Sequence, residues 1–215
     1  FGLFYAVSAF IGIFALFRYL GLNQAIVRFV PIFLHTNDRP KIKGLLVIVL
    51  ISQLITVLFF TALIFLLKDS VALYLFKTDT ASVIVMLMAL SFIPSIFFVV
   101  FQSVFQGFQK MKTYSLVEPV RIVSTFLFAI LLIGNGVAGV AMAYLMASVI
   151  TTVVFVYSFY RLDITKSKTH ISSVFIKRIF GYSIPVFVTS IAIIVINFTD
   201  TILLAIYGSL SDVAL

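Results

Sequence analysis

The chain has 215 residues, of which 63% are hydrophobic and 10% are charged, and its mean hydropathy is +1.25. A soluble domain carries about 45–50% apolar and about 25% charged residues, so this composition excludes a soluble globular protein, a disordered chain and a fibrous repeat. It predicts an integral membrane protein. The absence of cysteine excludes disulfides and thiolate chemistry. The net charge is +8. Binding of nucleic acid requires a basic face on a polar fold. The composition predicts no such fold, so we expect no nucleic-acid partner.

Uncharged runs divide the chain into six predicted membrane-spanning helices, since one span needs about 20 mostly apolar residues. The run at 122–160 is too long for one span, and Gly134-Asn135-Gly136 inside it is typical of a tight turn. The fourth span is placed to begin at Ser115, because Ser115 and Glu118 have the spacing of a capping box. The predicted spans are 1–20, 44–67, 81–105, 115–133, 137–160 and one within 179–215, with a connector at 161–178.

Most of the basic residues fall in alternate loops, 18–43, 106–121 and 161–178, and only Lys68 and Lys77 fall on the other side. The positive-inside rule therefore predicts that these three loops are cytoplasmic. Phe1 then lies at the outer face without an initiator methionine or signal peptide. We expect a piece of a longer multi-pass protein of the plasma membrane, with an odd number of spans ahead of it.

Two arginines are candidate substrate-binding residues. Arg18 lies about 27 Å along a helix that starts at the outer face, within a bilayer core about 30 Å thick. A guanidinium can form two parallel hydrogen bonds to a phosphate. The alternative is that Arg18 snorkels to the cytoplasmic interface. Arg28 is ten residues further on, and its alternative role is a positive-inside anchor.

Two polar pairs are candidates for coupling and for lining a cavity. Asp200 interrupts the last apolar run, and Asn197 shares its helix face. Such a carboxylate could bind a coupling H+ or Na+ or could form a structural hydrogen bond. Gln102 and Gln106 lie on one helix face at the cytoplasmic end of the third span, where they could line the mouth of a cavity or be solvated at the interface.

Other polar and small residues are interpreted as packing elements. Gln53 in the second span is expected to form interhelical hydrogen bonds. The small residues Gly139, Ala143 and Ala147 repeat at four-residue spacing and predict a close helix–helix contact. The residue pattern at 171–180 predicts a short amphipathic helix at the membrane surface. Phe175 and Ile179 are among the side chains expected to face lipid.

The sequence lacks the residue spacings that are typical of an enzyme active site. His35 and His170 both fall in loops, and we find no paired carboxylates, no metal-ligand spacing and no nucleophile with a nearby base. We therefore expect no catalytic residues, no metal site, no cofactor and no enzymatic activity.

Three groups of motifs resemble the polysaccharide flippases of the multidrug/oligosaccharidyl-lipid/polysaccharide exporter superfamily. The first group is Phe1-Gly2-Leu3-Phe4, Leu20-Gly21-Leu22 and Val27-Arg28-Phe29-Val30-Pro31. The second is Phe105-Gln106-Gly107-Phe108-Gln109-Lys110 with Tyr114 and Glu118. The third is Tyr182-Ser183-Ile184-Pro185 with Thr199-Asp200-Thr201-Ile202-Leu203-Leu204. Their order and spacing agree with that family along the whole chain.

The resemblance implies an all-α, polytopic transmembrane helix bundle that is part of a two-lobe exporter fold. Residues 1–160 would supply five spans of the N-terminal six-span lobe, 161–178 the cytoplasmic linker, and 179–215 the first span of the second lobe. The implied function is a flippase that moves a polyprenyl-diphosphate-linked oligosaccharide to the outer leaflet by alternating access. The alternatives are a cation-coupled multidrug exporter of the same superfamily and a membrane-embedded glycan polymerase or ligase.

Overall fold

The computed structural model describes residues 7–8, 10–12, 14, 20–76, 80–160 and 169–207, with side chains except at 75, 76, 80, 160 and 193–207. These residues are helical or lie in short connections, and the described ranges contain no strand. The molecule is an all-α polytopic transmembrane helix bundle, which confirms the predicted fold class. The helices are α1 Leu22–His35, α2 Arg39–Val71, α3 Thr80–Gly107, α4 Met111–Leu132, α5 Gly136–Tyr160 and α6 Ser173–Tyr207.

Four described segments are long and apolar enough to cross a membrane. They are Arg39–Tyr74, Ala81–Gly107, Met111–Phe159 and Ser173–Ala192. A π-helical turn, Ala72–Phe76, extends α2, and a 3-10 turn, Ile133–Asn135, joins α4 to α5 within the third segment. The sequence expectation of several long apolar helices is therefore met in the described part of the chain.

Helix α3 forms the centre of the bundle and contacts α1, α2, α4 and α5. Its last residue, Gly107, packs so closely on α1 that a Cβ atom there would lie 3.0 Å from Cβ of Val30. On α5, Gly139, Ala143 and Ala147 are all buried, as the small-residue spacing predicts. Close packing of this kind drives helix association in a bilayer, where burial from water supplies little.

Helix α1 occupies much of the region predicted as the loop 18–43. Leu20 and Gly21 have φ angles of 46° and 66°, and this left-handed turn separates α1 from the helical residues at 7–14. A Cβ atom on Gly21 would lie 2.3 Å from the carbonyl oxygen of Ser183 on α6. Glycine therefore serves here for both its φ angle and its lack of a side chain.

The turn at Leu20–Gly21 lies deep in the bundle. Just after it, Asn23 of α1 accepts a 2.9 Å hydrogen bond from Nε2 of Gln53, which is near the middle of α2. The prediction that Gln53 forms an interhelical hydrogen bond is confirmed. On the other side of the turn, Phe14 stacks against Phe60 of α2, with ring centroids 5.7 Å apart. The described residues on both sides of the turn thus pack against α2.

We call the end of the bundle where α1 joins α2 and α3 joins α4 the basic end. Its exposed or half-exposed basic side chains are Arg39, Lys41, Lys110 and Lys112. Asp38 caps α2 there by accepting a 3.2 Å hydrogen bond from the backbone N–H of Lys41. A side-chain hydrogen bond from Lys41 lowers the pKa of Asp38, so this carboxylate stays charged and stabilises the helix N-terminus.

The segment before α6 is bound to the basic end. The backbone N–H of His170 donates to the carbonyl oxygen of Pro40 at 3.2 Å. A Cβ atom on Gly44 would lie 2.2 Å from the carbonyl oxygen of His170. The residues of the predicted linker at 161–168 lie outside the described residues.

Two local predictions are wrong. Helix α4 begins at Met111, four residues before Ser115, and Ser115 donates to the carbonyl oxygen of Lys112 instead of capping. The segment 171–180 is not a separate surface helix, because α6 continues from Ser173 to Tyr207. Phe175 and Ile179 are buried against protein instead of facing lipid.

Candidate functional site

Arg28 lies halfway along α1 and its side chain is exposed. Its guanidinium carbon lies 4.4 Å from the ring centroid of Tyr182 on α6 and 5.8 Å from that of Phe29. These distances are those of cation–π contacts, which hold a cation without neutralising its charge. Arg28 is therefore positioned by α6 and keeps its hydrogen-bond donors for solvent or a ligand.

A second arginine, Arg178 on α6, contacts the same aromatic cluster. Its guanidinium carbon lies 5.4 Å from the ring centroid of Phe29, and its side chain is exposed. The Phe29 ring is in edge contact with Tyr182, with centroids 5.7 Å apart. Two exposed guanidinium groups thus flank one aromatic cluster at the α1–α6 contact, and we call this the two-arginine surface. The sequence motifs contained Arg28 but gave no signal that α6 would bring Arg178 to it.

Among the side chains that the structure describes, neither Gln102 nor Gln106 has a contact with Arg28. Gln102 and Gln106 are half-buried on α3, and the described cation–π contacts of Arg28 are with Phe29 and Tyr182. Arg18 lies outside the described residues. The backbones of Asn197 and Asp200 belong to α6, but their side chains lie outside the described part.

The topology prediction assigned Arg121 to the loop 106–121, and this is wrong. Arg121 lies halfway along α4 and forms an ion pair with Glu118, one turn earlier. Its guanidinium carbon lies 5.4 Å from the ring centroid of Phe98 on α3. The predicted span 115–133 already included Arg121, but the charge count assigned the same residue to the loop and did not identify its ion pair with Glu118. The signal was present as opposite charges three residues apart, which share a helix face.

Arg121 lines a cleft of about 260 Å³ between α3, α4 and α5, which we call the hydroxyl cleft. Aromatic side chains on its wall are Phe92, Phe98 and Tyr144. Its hydroxyl-bearing side chains are Ser91, Ser95, Thr125, Ser148 and Thr151. A charged and hydroxyl-rich cleft at the middle of an apolar helix bundle has the composition of a binding site.

Helix α4 carries a polar stripe on which the Arg121 and Glu118 side chains are 38% and 43% exposed. Exposed apolar side chains, among them Ile122, Phe126, Leu127 and Ile130, occupy other positions of the helix. Glu118, Arg121 and Thr125 follow one another at three- and four-residue spacing and form the opposite stripe. Within the described part of the chain, no group of three or more His, Cys, Asp or Glu residues could hold a metal ion.

Comparisons with known proteins identify relatives of this chain. A family model described as polysaccharide biosynthesis protein matches residues 1–215. An uncharacterized membrane protein of Methanocaldococcus jannaschii is 26% identical over 230 residues, covering 99% of this chain and 45% of that protein. The chain therefore spans about half the length of this curated relative. No solved structure matches the chain.

Proposed function

The chain belongs to the polysaccharide biosynthesis protein family, and from this premise we propose that it is part of a flippase for lipid-linked oligosaccharide. The substrate would be an oligosaccharide on a polyprenyl diphosphate, moved from the cytoplasmic to the outer leaflet of the plasma membrane. The two-arginine surface is the observation that carries the proposal. A diphosphate offers oxygens to two guanidinium groups at once, and each can form paired hydrogen bonds with it.

The position of this surface suits the entry of a lipid headgroup. It lies on α1, near the basic end. The positive-inside rule assigns that end of the bundle to the cytoplasm. Tyr182 and Phe29 hold the guanidinium groups by ring contacts, so neither arginine is neutralised by a carboxylate in the described structure. An anionic headgroup would supply the missing counter-charge, whereas a cationic drug would be repelled.

The left-handed turn at Leu20–Gly21, which precedes α1, supports the proposal of transport by alternating access. Discontinuous helices are typical of transporters, where they line substrate cavities and bend between states. In this proposal Arg18, three residues before Gly21, would extend the cationic path from the two-arginine surface toward the middle of the membrane. Gln102 and Gln106 would line the cytoplasmic mouth. Asp200 with Asn197 would bind a coupling H+ or Na+.

The arginines are tested in the full-length protein by complementation of a strain that lacks it and so lacks its surface polysaccharide. We expect Arg28→Ala and Arg178→Ala each to reduce export at normal membrane abundance, and the double variant to abolish it. Arg28→Lys should retain part of the activity, because it keeps the charge but loses the planar pair of donors. Export is measured as polysaccharide on the cell surface.

Lys177→Ala is the matched control, since Lys177 is the exposed basic neighbour of Arg178 on α6. It should leave export unchanged. Full export by the Arg28→Ala, Arg178→Ala double variant at normal abundance would contradict a role for the two-arginine surface in binding diphosphate.

A further inference from the structure

We propose that the hydroxyl cleft binds a single uncharged sugar ring. The cleft is separate from the two-arginine surface, since it is formed by α3, α4 and α5, whereas the two-arginine surface is formed by α1 and α6. The inference depends on the proposed function only in one respect, namely that the glycan of the transported lipid would supply the ring.

The hydroxyl groups of the cleft are oriented as hydrogen-bond acceptors. Ser91 donates to the carbonyl oxygen of Met88 at 2.6 Å, and Ser148 donates to that of Leu145 at 2.7 Å. Thr125 donates to the carbonyl oxygen of Arg121 at 2.9 Å, and Thr151 donates within α5 in the same way. A hydroxyl group has one proton and two lone pairs. These four groups have therefore used their protons within their own helices and offer lone pairs to a ligand.

Arg121 is the donor of the cleft. Its guanidinium has five N–H groups, one Nη donates to Glu118, and Nε is buried without a hydrogen-bond partner in the described structure. The guanidinium also contacts the Phe98 ring, 5.4 Å from its centroid. Arg121 therefore keeps donor capacity for a ligand oxygen, while Glu118 cancels its charge.

This arrangement selects against simple ions. An anion would face four hydroxyl oxygens that present lone pairs, and the charge of Arg121 is already paired with Glu118. A cation would face the Arg121 guanidinium. A sugar hydroxyl both donates and accepts, so a polyol satisfies the acceptor oxygens and the arginine together. The aromatic side chains Phe92, Phe98 and Tyr144 supply apolar surface for the C–H faces of the ring.

The size of the cleft limits its occupant to a single ring. Sites for drug-sized ligands measure about 300–1,000 Å³, and the cleft measures about 260 Å³. A ligand this small, with about 12 heavy atoms, is expected to bind with a dissociation constant in the millimolar range. Such weak binding suits a group that must be released on the other side of a membrane.

The test measures protection of a reporter thiol in the purified full-length protein. The chain has no cysteine, and any in the remainder of the protein are replaced by serine. Ser95→Cys places a thiol in the cleft, and Ser115→Cys places a control thiol on the exposed N-terminal part of α4. The rate of modification by a small methanethiosulfonate reagent is measured with methyl α-glucopyranoside, N-acetylglucosamine, sodium chloride or sodium phosphate.

We expect at least one of the two sugars, at about ten times its millimolar dissociation constant, to slow modification of Ser95→Cys about tenfold. Modification of Ser115→Cys should not change, and neither salt should protect Ser95→Cys. Thr125→Val, which keeps the shape, should weaken protection. The Glu118→Gln, Arg121→Gln double variant, which removes both charges and leaves neither unpaired, should abolish it.

Four results would overturn the proposal. They are equal protection by chloride or phosphate, protection of both thiols, no protection by either sugar, and a Ser95→Cys thiol that does not react even without ligand because protein fills the cleft. The assay requires no transport, so its failure would leave the flippase proposal intact. Full export by the Arg28→Ala, Arg178→Ala double variant would contradict the role of the two-arginine surface but would leave sugar binding in the cleft intact.

Discussion

The buried pair of Asn23 and Gln53 shows how polar side chains on two helices of this bundle stabilise each other. Gln53 is fully buried and Asn23 is 7% exposed, and one 2.9 Å hydrogen bond joins their amides. Oε1 of Gln53 has no described hydrogen-bond partner. A buried amide that loses its partner costs about 1–3 kcal/mol, whereas replacing both partners by apolar side chains is nearly neutral.

We therefore expect Asn23→Leu and Gln53→Leu each to lower the free energy of unfolding by about 1–3 kcal/mol. The Asn23→Leu, Gln53→Leu double variant should be destabilised by less than the sum of the two. Reversible unfolding in detergent micelles measures these values, with Gln24→Leu at the neighbouring exposed position as the control. Additive effects of the two single substitutions would show that the hydrogen bond contributes no coupling.

At the level of secondary-structure elements, glycine determines where segments of this bundle approach. Gly44 in α2 faces the backbone of His170, so the segment before α6 is fixed to the basic end. Gly181 in α6 has no atom within 4 Å of a Cβ position. Both glycines lie within helices, where the helix propensity of alanine is more favourable than that of glycine by about 1 kcal/mol. Their surroundings differ, so we expect different effects of alanine at the two positions.

Gly44→Ala should therefore lower the melting temperature, since its Cβ atom would lie 2.2 Å from a backbone oxygen that must move. Gly181→Ala should leave it unchanged or raise it. Hydrogen exchange at residues 169–172 should become faster in Gly44→Ala, because the bond from His170 to Pro40 is displaced. A Gly44→Ala protein that is as stable as Gly181→Ala, with unchanged exchange at 169–172, would contradict the docking of this segment.

Long apolar runs in the sequence predicted the helices correctly. The predicted helix boundaries were wrong where a span contains charged residues or a left-handed turn. Runs of apolar residues identify α2, α3 and α5, because a bilayer requires about 20 such residues. The predicted span 115–133 includes Glu118 and Arg121 but begins four residues after α4 does, because Ser115 was interpreted as a helix cap. Arg28 was recognised as a site candidate from its position, but the approach of Arg178 depends on α6 packing against α1, which no local pattern encodes.

At the scale of the whole molecule, the described helices form a bundle with two separate polar regions. The two-arginine surface lies at the α1–α6 contact, and the hydroxyl cleft lies between α3, α4 and α5. In the proposed flippase these would bind the diphosphate and one sugar ring of the same lipid. The chain spans about half the length of its matched relative, and in the proposed flippase a second lobe would complete the transport cavity.

The most direct test of the central claim is flipping by the purified full-length protein in proteoliposomes. A fluorescent polyprenyl-diphosphate oligosaccharide is placed in both leaflets, and its accessibility to a membrane-impermeant quencher is followed over time. We predict that the protein makes the inner-leaflet pool accessible, and that the Arg28→Ala, Arg178→Ala double variant does so much more slowly. Accessibility that stays at the value of protein-free liposomes, with correctly folded protein present, would contradict the assignment as a flippase.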